Sequence, residues 1–226
     1  GYIPNKTPHA TYAAMITRMD SYIGNVVTKL KEHGIYDNTL IIFTSDNGPT
    51  NAGGGGASYF NSAGELKALK GSLYEGGIRV PFIASWPGKI KPATKSDHIS
   101  AGWDMLATFA EVAGEKPKKK TDGISILATL TGEGKQKKHD SLYWELGSQQ
   151  AIRMGNWKAY RRAGGKTLLF DLSKDIGEKN NLADKHPKVL NDMTTLFTTL
   201  RTEHKDFKDP SKPRQKKNRK KKKSKK

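Results

Sequence analysis

Two short stretches carry residue types able to handle an oxyanion. The first is Asp46-Asn47, directly after the apolar run Thr39-Leu-Ile-Ile-Phe-Thr44. A carboxylate beside a carboxamide offers hard oxygens to Ca²⁺ or Mg²⁺, and open α/β sheets bind ligands in the crevice beyond the carboxyl ends of their strands. Two side chains fall short of the ~6–8 oxygens that Ca²⁺ takes, so other ligands must come from elsewhere. The same letters, Ser45-Asp-Asn-Gly-Pro49, would also serve a plain chain reversal. The second stretch is Lys70 with Gly71-Ser-Leu-Tyr-Glu-Gly-Gly77. Glycines let the backbone approach a ligand closely, and an ammonium beside them is a point charge suited to a tetrahedral oxyanion such as sulfate or phosphate. A solvated lysine ahead of a loop fits the same letters. Glu75 and Arg79 have the spacing of a structural ion pair.

The histidines are weaker candidates, although imidazole is the usual acid or base near neutral pH. His9, His33, His139, His186 and His204 stand in turn, connector or helix-end contexts and are expected at the surface. His98, after Ser96-Asp97, either approaches the cleft or holds a structural corner.

The elements that must position these residues follow from periodicity. From Thr7 to His33 apolar residues recur at Tyr12, Met15, Ile16, Met19, Ile23, Val26, Val27 and Leu30, an amphipathic helix that Gly34 stops. The run ending at Thr44 reads as a strand buried on both faces, and Gly53 to Gly56 as a surface loop. A second strand is expected over Ile78 to Trp86, with Pro81 limiting its pairing, and a second helix over Trp103 to Val112, closed by Gly114. These elements indicate an α/β fold. Lys116-Pro-Lys-Lys-Lys120 reads as a charged connector. Beyond it the period shortens: Ser141–Leu146, Gln150–Met154, Trp157–Arg161 and Thr167–Leu172 read as an antiparallel meander, with hairpins at Gly155-Asn156 and Gly164-Gly165. A last helix is expected from Pro187 to about Glu203. Tyr143, Trp144, Trp157 and Tyr160 are expected to pack that helix against the sheet, in preference to forming a sugar-stacking face.

Phe43-Thr-Ser-Asp-Asn-Gly-Pro49, Lys70-Gly-Ser-Leu-Tyr-Glu-Gly-Gly-Ile-Arg-Val-Pro81 and Trp86-Pro-Gly-Lys89 closely resemble the C-terminal half of the arylsulfatase family, within the alkaline-phosphatase-like superfamily. Tyr12-Ala-Ala-Met15, Asp122-Gly-Ile-Ser125, Gln150-Ala-Ile-Arg-Met-Gly-Asn-Trp-Lys158, Leu169-Phe-Asp-Leu172 and Glu178-Lys-Asn-Asn-Leu182 extend the resemblance over roughly Thr7 to Phe207. It implies the C-terminal part of an alkaline-phosphatase-like sandwich (1–115), a small antiparallel-sheet-plus-helix subdomain (116–209) and a disordered lysine-rich tail (210–226). It also implies that Asp46 and Asn47 ligate Ca²⁺ and that Lys70 binds sulfate. The reaction would then be hydrolysis of an aryl or carbohydrate sulfate, at a periplasmic or extracellular address.

The family's nucleophile is a formylglycine made from a Cys/Ser-x-Pro-x-Arg motif near the N-terminus of the full enzyme, and is expected in the missing N-terminal part. This chain has no cysteine, and its nearest match, Ser85-Trp-Pro-Gly-Lys89, has Lys where Arg is required. The chain therefore reads as a fragment, inactive alone, with its natural N-terminus lost or removed before Gly1. A phosphoester hydrolase of the same superfamily and a non-catalytic polyanion-binding module remain the alternatives.

Composition adds bounds. At 226 residues, a sizeable core can form. The longest apolar run, Leu40 to Phe43, is far below the ~18 residues of a membrane-spanning helix. Of the net +18, 11 charges lie in Ser211–Lys226, which contains no acid, leaving +7 for the rest. No aromatic residue interleaves the basic ones after Lys208, so base stacking has no platform and nucleic acid is disfavoured against a sulfated, acidic matrix. Oligomeric state is left open.

Overall fold

The structure, a computed structural model, describes residues 3–117, 119–206 and 209. The tail expected to be disordered, 210–226, lies outside the described residues.

Helix α1 spans Pro8–Glu32. Pro8 falls in its first turn, where a missing N–H costs nothing, and Lys29 and Lys31 sit near the negative end of its dipole. Gly34, at φ +66°, closes it: the N–H of Gly34 donates to Lys31 O and that of Ile35 to Leu30 O, both at 3.0 Å. The expected apolar stripe is only partly covered. Tyr12, Ile23, Val27 and Leu30 are half-buried, whereas Met15, Tyr22 and Val26 are 63%, 55% and 58% exposed.

Strand β1 (Ile41–Thr44) pairs antiparallel with β2 (Phe82–Ser85), Ile41 opposite Ser85 and Thr44 opposite Phe82. This corrects two expectations. In this chain β1 is not covered on both faces: Ile41, Ile42 and Phe43 are half-buried and Thr44 is exposed, and among the described residues β2 is the one strand paired with it. The second strand is shorter than expected because Glu75–Ile78 winds into a helical turn, α2, and Pro81 has no N–H for a ladder. Helix α3 runs Asp104–Val112. Helix α4, Leu127–Thr131, was not legible in the sequence, since five residues are too few to show a period.

The meander forms as expected. Strands β3 (Leu142–Leu146), β4 (Gln149–Met154), β5 (Trp157–Arg162) and β6 (Leu168–Asp171) make one antiparallel sheet in chain order. Helix α5, Pro187–Thr199, stops four residues short of the expected end. Because successive strand side chains point to opposite faces, the sheet has two cores. Ile152, Ala159 and Leu169 pack with Met193 and Phe197 of α5. Ala151, Tyr160 and Phe170 pack with Leu73, from the segment between β1 and β2. The four aromatics divide accordingly, which corrects their joint assignment to α5: Tyr143 and Trp157 face the helix, while Trp144 and Tyr160 face the other core.

Phe197 is 1% exposed, and the Arg161 guanidinium lies 4.1 Å from its ring centroid. Phe197→Ala should cost about 3–5 kcal/mol, seen as a drop in the denaturant midpoint of the intact protein; an unchanged midpoint would show that α5 adds little to the sheet.

Candidate active site

Asp46 and Asn47 leave the end of β1 on a loop clasped by backbone. Gly48 N–H donates to Gly77 O and Lys70 N–H to Pro49 O, each at 2.9 Å. Thr44 Oγ1 donates to Pro81 O at 2.9 Å. The approach is so close that a Cβ on Gly48 would stand 1.9 Å from Gly76 O, a backbone atom with no room to retreat. The Asp46-Asn47 loop and the Lys70 loop therefore belong to one cluster.

The three candidate side chains are uncommitted. Asp46 and Lys70 are exposed and Asn47 is half-buried, and among the described residues none has a side-chain hydrogen bond or ion pair. An adjacent carboxylate and carboxamide without protein partners suit a hard cation, but they supply only two donors. Among the described residues no group of three or more His, Cys, Asp or Glu gathers as a metal centre. Next to Lys70, an open concavity of about 590 Å³ is lined by Gly71 and by the β3–β4 turn, Leu146 to Gln149.

The Lys70 loop is held from the far side by the four-stranded sheet. Gln149 Oε1 accepts from Leu73 N–H at 3.3 Å and its Nε2 donates to Gly71 O at 3.0 Å. The Tyr74 ring stacks on Tyr160 with centroids 4.3 Å apart. Lys67 Nζ donates to Glu178 O at 2.9 Å.

The strongest tie is ionic. Lys158, on β5 and fully buried, sets Nζ 2.8 Å from Glu75 Oε1 and 3.0 Å from Glu178 Oε1. Glu75 Oε2 accepts from Arg79 Nε at 2.7 Å, the ion pair expected of those two residues, and Glu178 Oε2 accepts from Glu75 N–H at 2.6 Å. Burial pushes the Glu75 carboxyl up, but Lys158 and Arg79 outweigh it and hold it below 4.5. Burial also acts on Glu178 and prevails there, so that carboxyl is raised although Lys158 opposes the shift. The contrast follows from the partners: Glu75 is within ion-pair distance of Lys158, Arg79 and Arg153, whereas Glu178 has Lys158 and also feels the Glu75 charge. Alternation along β5 was the available signal for Lys158, since it sets this residue on the face of Tyr160, opposite Trp157 and Ala159.

The histidines divide. His139 is not a surface residue: its side chain is 9% exposed, with Nε2 2.8 Å from Asp104 Oδ1. Asp104 can only accept, so Nε2 carries the proton. The same carboxylate takes the N–H groups of Ala101 and Ile124 at 2.8 and 2.9 Å, which fixes the start of α3 against the chain beyond the connector. His98 sits within electrostatic reach of Asp104, His139 and Lys138, its pKa lowered chiefly by burial. His9 stacks on Tyr59 at 4.0 Å.

The sequence matches two family models: Sulfatase over residues 3–115, and N-sulphoglucosamine sulphohydrolase, C-terminal, over residues 69–205. It is 32% identical to arylsulfatase A of Homo sapiens over 80% of this chain and 41% of that protein. It is 29% identical to an N-acetylgalactosamine-6-O-sulfatase of Bacteroides thetaiotaomicron over 87% of this chain and 45% of that one. The structure of Ps i-CgsB in complex with k-i-k-neocarrahexaose superposes with a TM-score of 0.73 at 32% identity, covering 88% of this chain and 44% of its own. The chain thus spans about two fifths of the length of the curated relatives it matches. No helix among the described residues is long and apolar enough to cross a membrane.

Removing the ammonium with Lys158→Met should destabilise the intact protein by about 3–5 kcal/mol, because two carboxylates are left buried without their shared cation; an unchanged thermal midpoint would refute the tie. Glu75, held below its ordinary value, binds fewer protons folded than unfolded. Its stabilisation is therefore full above about pH 4.5 and drains as pH falls through the folded value, while raised Glu178 acts in the opposite sense. Calorimetry between about pH 5 and 3 should find a shallower acid-side fall in midpoint for Glu75→Gln than for wild type.

Proposed function

The chain belongs to the sulfatase family, and we propose that it supplies the metal-facing and sulfate-facing loops of an enzyme hydrolysing sulfate esters to an alcohol and inorganic sulfate. The observation supporting this reading is the backbone hydrogen bond from Lys70 N–H to Pro49 O, which joins the loop of the free ammonium to the loop of the two free oxygen donors. Asp46 and Asn47 hold the metal, Ca²⁺ being the ion suited to a carboxylate beside a carboxamide, and the remaining ligands come from outside this pair. When bound, that cation supplies fixed positive charge against the sulfate oxygens. The Lys70 ammonium binds the sulfate and stabilises the negative charge that develops as the S–O bond breaks. Its lack of an ion-pair partner among the described residues suits that task, since an entering anion displaces none of their carboxylates.

The family's formylglycine does not fit these residues. Ser85, head of the nearest motif match, ends β2 opposite Ile41, and Lys89 stands where the motif requires Arg. The substrate is a sulfated small molecule or glycan; a glycan sulfate accords with the carrageenan oligosaccharide and galactosamine sulfate in the names of the similar proteins. A periplasmic or extracellular location follows the family resemblance.

Assayed on an aryl sulfate, the intact enzyme carrying Lys70→Ala should lose about 10²–10³ in kcat/KM, the usual cost of one charge-stabilising donor. Chelation should abolish activity and Ca²⁺ restore it, while Asp46→Ala should raise the Ca²⁺ concentration needed. Unchanged kcat/KM in the Lys70 variant sinks the assignment, and preference for the corresponding aryl phosphate would move the enzyme to phosphoester chemistry.

A further inference from the structure

A second concentration of positive charge lies away from the Asp46 and Lys70 loops and shares no residue with them. Between α3 and α4 an open concavity of about 490 Å³ is lined by Lys119, Lys120, Lys135 and Lys137, with Glu111 as its one carboxylate. All four lysines are exposed, and among the described residues none has an ion-pair partner. Like charges lining one hollow repel each other, and an anion in the hollow offsets that repulsion.

Backbone close to these lysines is anchored at Gln136, Gly123 and Ile124. The Gln136 side chain, between Lys135 and Lys137, is fully used: Nε2 donates to Ser125 O and Lys137 O at 2.8 Å, and Oε1 accepts from Thr129 N–H at 2.9 Å and Thr129 Oγ1 at 2.8 Å. On the opposite wall, Ile124 N–H is bound by Asp104, and Gly123 lies against Trp103 O so closely that a Cβ would stand 2.1 Å away. Lys135 and Lys137 therefore project from a held segment, and Lys119 and Lys120 lie just ahead of the anchored Gly123 and Ile124, so the hollow gathers cations suited to a ligand with repeated anionic groups.

We propose that this concavity is an auxiliary binding site for a sulfated polysaccharide, separate from the site of hydrolysis. Lysine is a compact point charge suited to monodentate sulfate oxygens, and Thr121 and Ser125 line the same hollow with hydroxyl-bearing side chains that match a sugar. No aromatic residue lines it, which removes the stacking platform that single-stranded nucleic acid uses. The choice of a sulfated polymer rests on the sulfatase reading; the charge and rigidity of the hollow do not. Holding a polymer here would raise the local concentration of its sulfate esters near the same molecule's catalytic loops.

The test measures binding of the intact protein to heparin, as the probe polymer, against NaCl concentration. Replacing Lys119, Lys120, Lys135 and Lys137 together by Ala should weaken binding at least tenfold near 0.1 M salt and flatten the log–log salt dependence by on the order of one unit per lysine. The corresponding four Lys→Arg changes should retain binding, and kcat/KM on a small aryl sulfate should stay at wild-type level in both. Wild-type heparin affinity and slope in the alanine variant would overturn the proposal. So would affinity lost wholly on deleting residues 211–226 and untouched by the lysine changes, or tighter binding to duplex DNA than to heparin at equal salt. Because heparin binding and aryl-sulfate turnover are read separately, failure of one does not imply failure of the other.

Discussion

The constraint on which the site geometry depends is a single buried ammonium. Lys158 reaches from the middle of the four-stranded sheet to two carboxylates, one at the start of α2 and one beyond β6, and is fully excluded from water. A lone polar head in such a place would be costly to bury; paired with two carboxylates, it fixes the distance between sheet and loop. A hydrophobic contact would tolerate sliding by an ångström or so, whereas charged partners at 2.8 and 3.0 Å tolerate much less. The sheet with α5 is thus a platform: one face buries the helix, and the other immobilises the segment that ends in Lys70.

The division of labour follows from strand alternation. Ile152, Ala159 and Leu169 face the helix and are aliphatic or small, so they make an ordinary core. Their neighbours Ala151, Lys158, Tyr160 and Phe170 point the other way and combine apolar contact, ring stacking and charge, a mixture suited to gripping a glycine-rich loop that has few side chains of its own. A loop that must leave its backbone open cannot bury itself, and its rigidity has to be borrowed from a partner surface.

How much of this was legible in the sequence depended on the length of the signal. The 25-residue α1, with Pro8 at its start and Gly34 after its end, and the meander with its glycine turns declare themselves by period and punctuation. Asp46, Asn47 and Lys70 stand out as residue types beside a strand end and a glycine run. What stayed hidden is what only tertiary structure decides. The turn α2 and the five-residue α4 are too short for periodicity. Which strand pairs with β1, among the described residues β2 about 40 residues on, is something no local pattern reveals. The burial of His139 depends on Asp104, 35 residues earlier, and that of Lys158 on carboxylates 83 residues before and 20 after.

Those sequence separations carry a consequence for synthesis. The loop around Lys70 leaves the ribosome long before Gln149, Lys158 and Glu178, its hydrogen-bonding and ionic partners 76, 83 and 103 residues downstream of the groups they bind. At ordinary elongation rates of about 5–20 residues per second, that is a wait of several seconds in which only backbone hydrogen bonds to the Asp46–Pro49 loop are available to the segment. A nascent chain can wind α1 early, but its anion-facing end becomes rigid only once the last strands have been translated and closed over it. Translation through the C-terminal sheet is therefore the step that turns a floppy glycine segment into a shaped one, and premature termination there would leave a polypeptide with the right residues and no geometry.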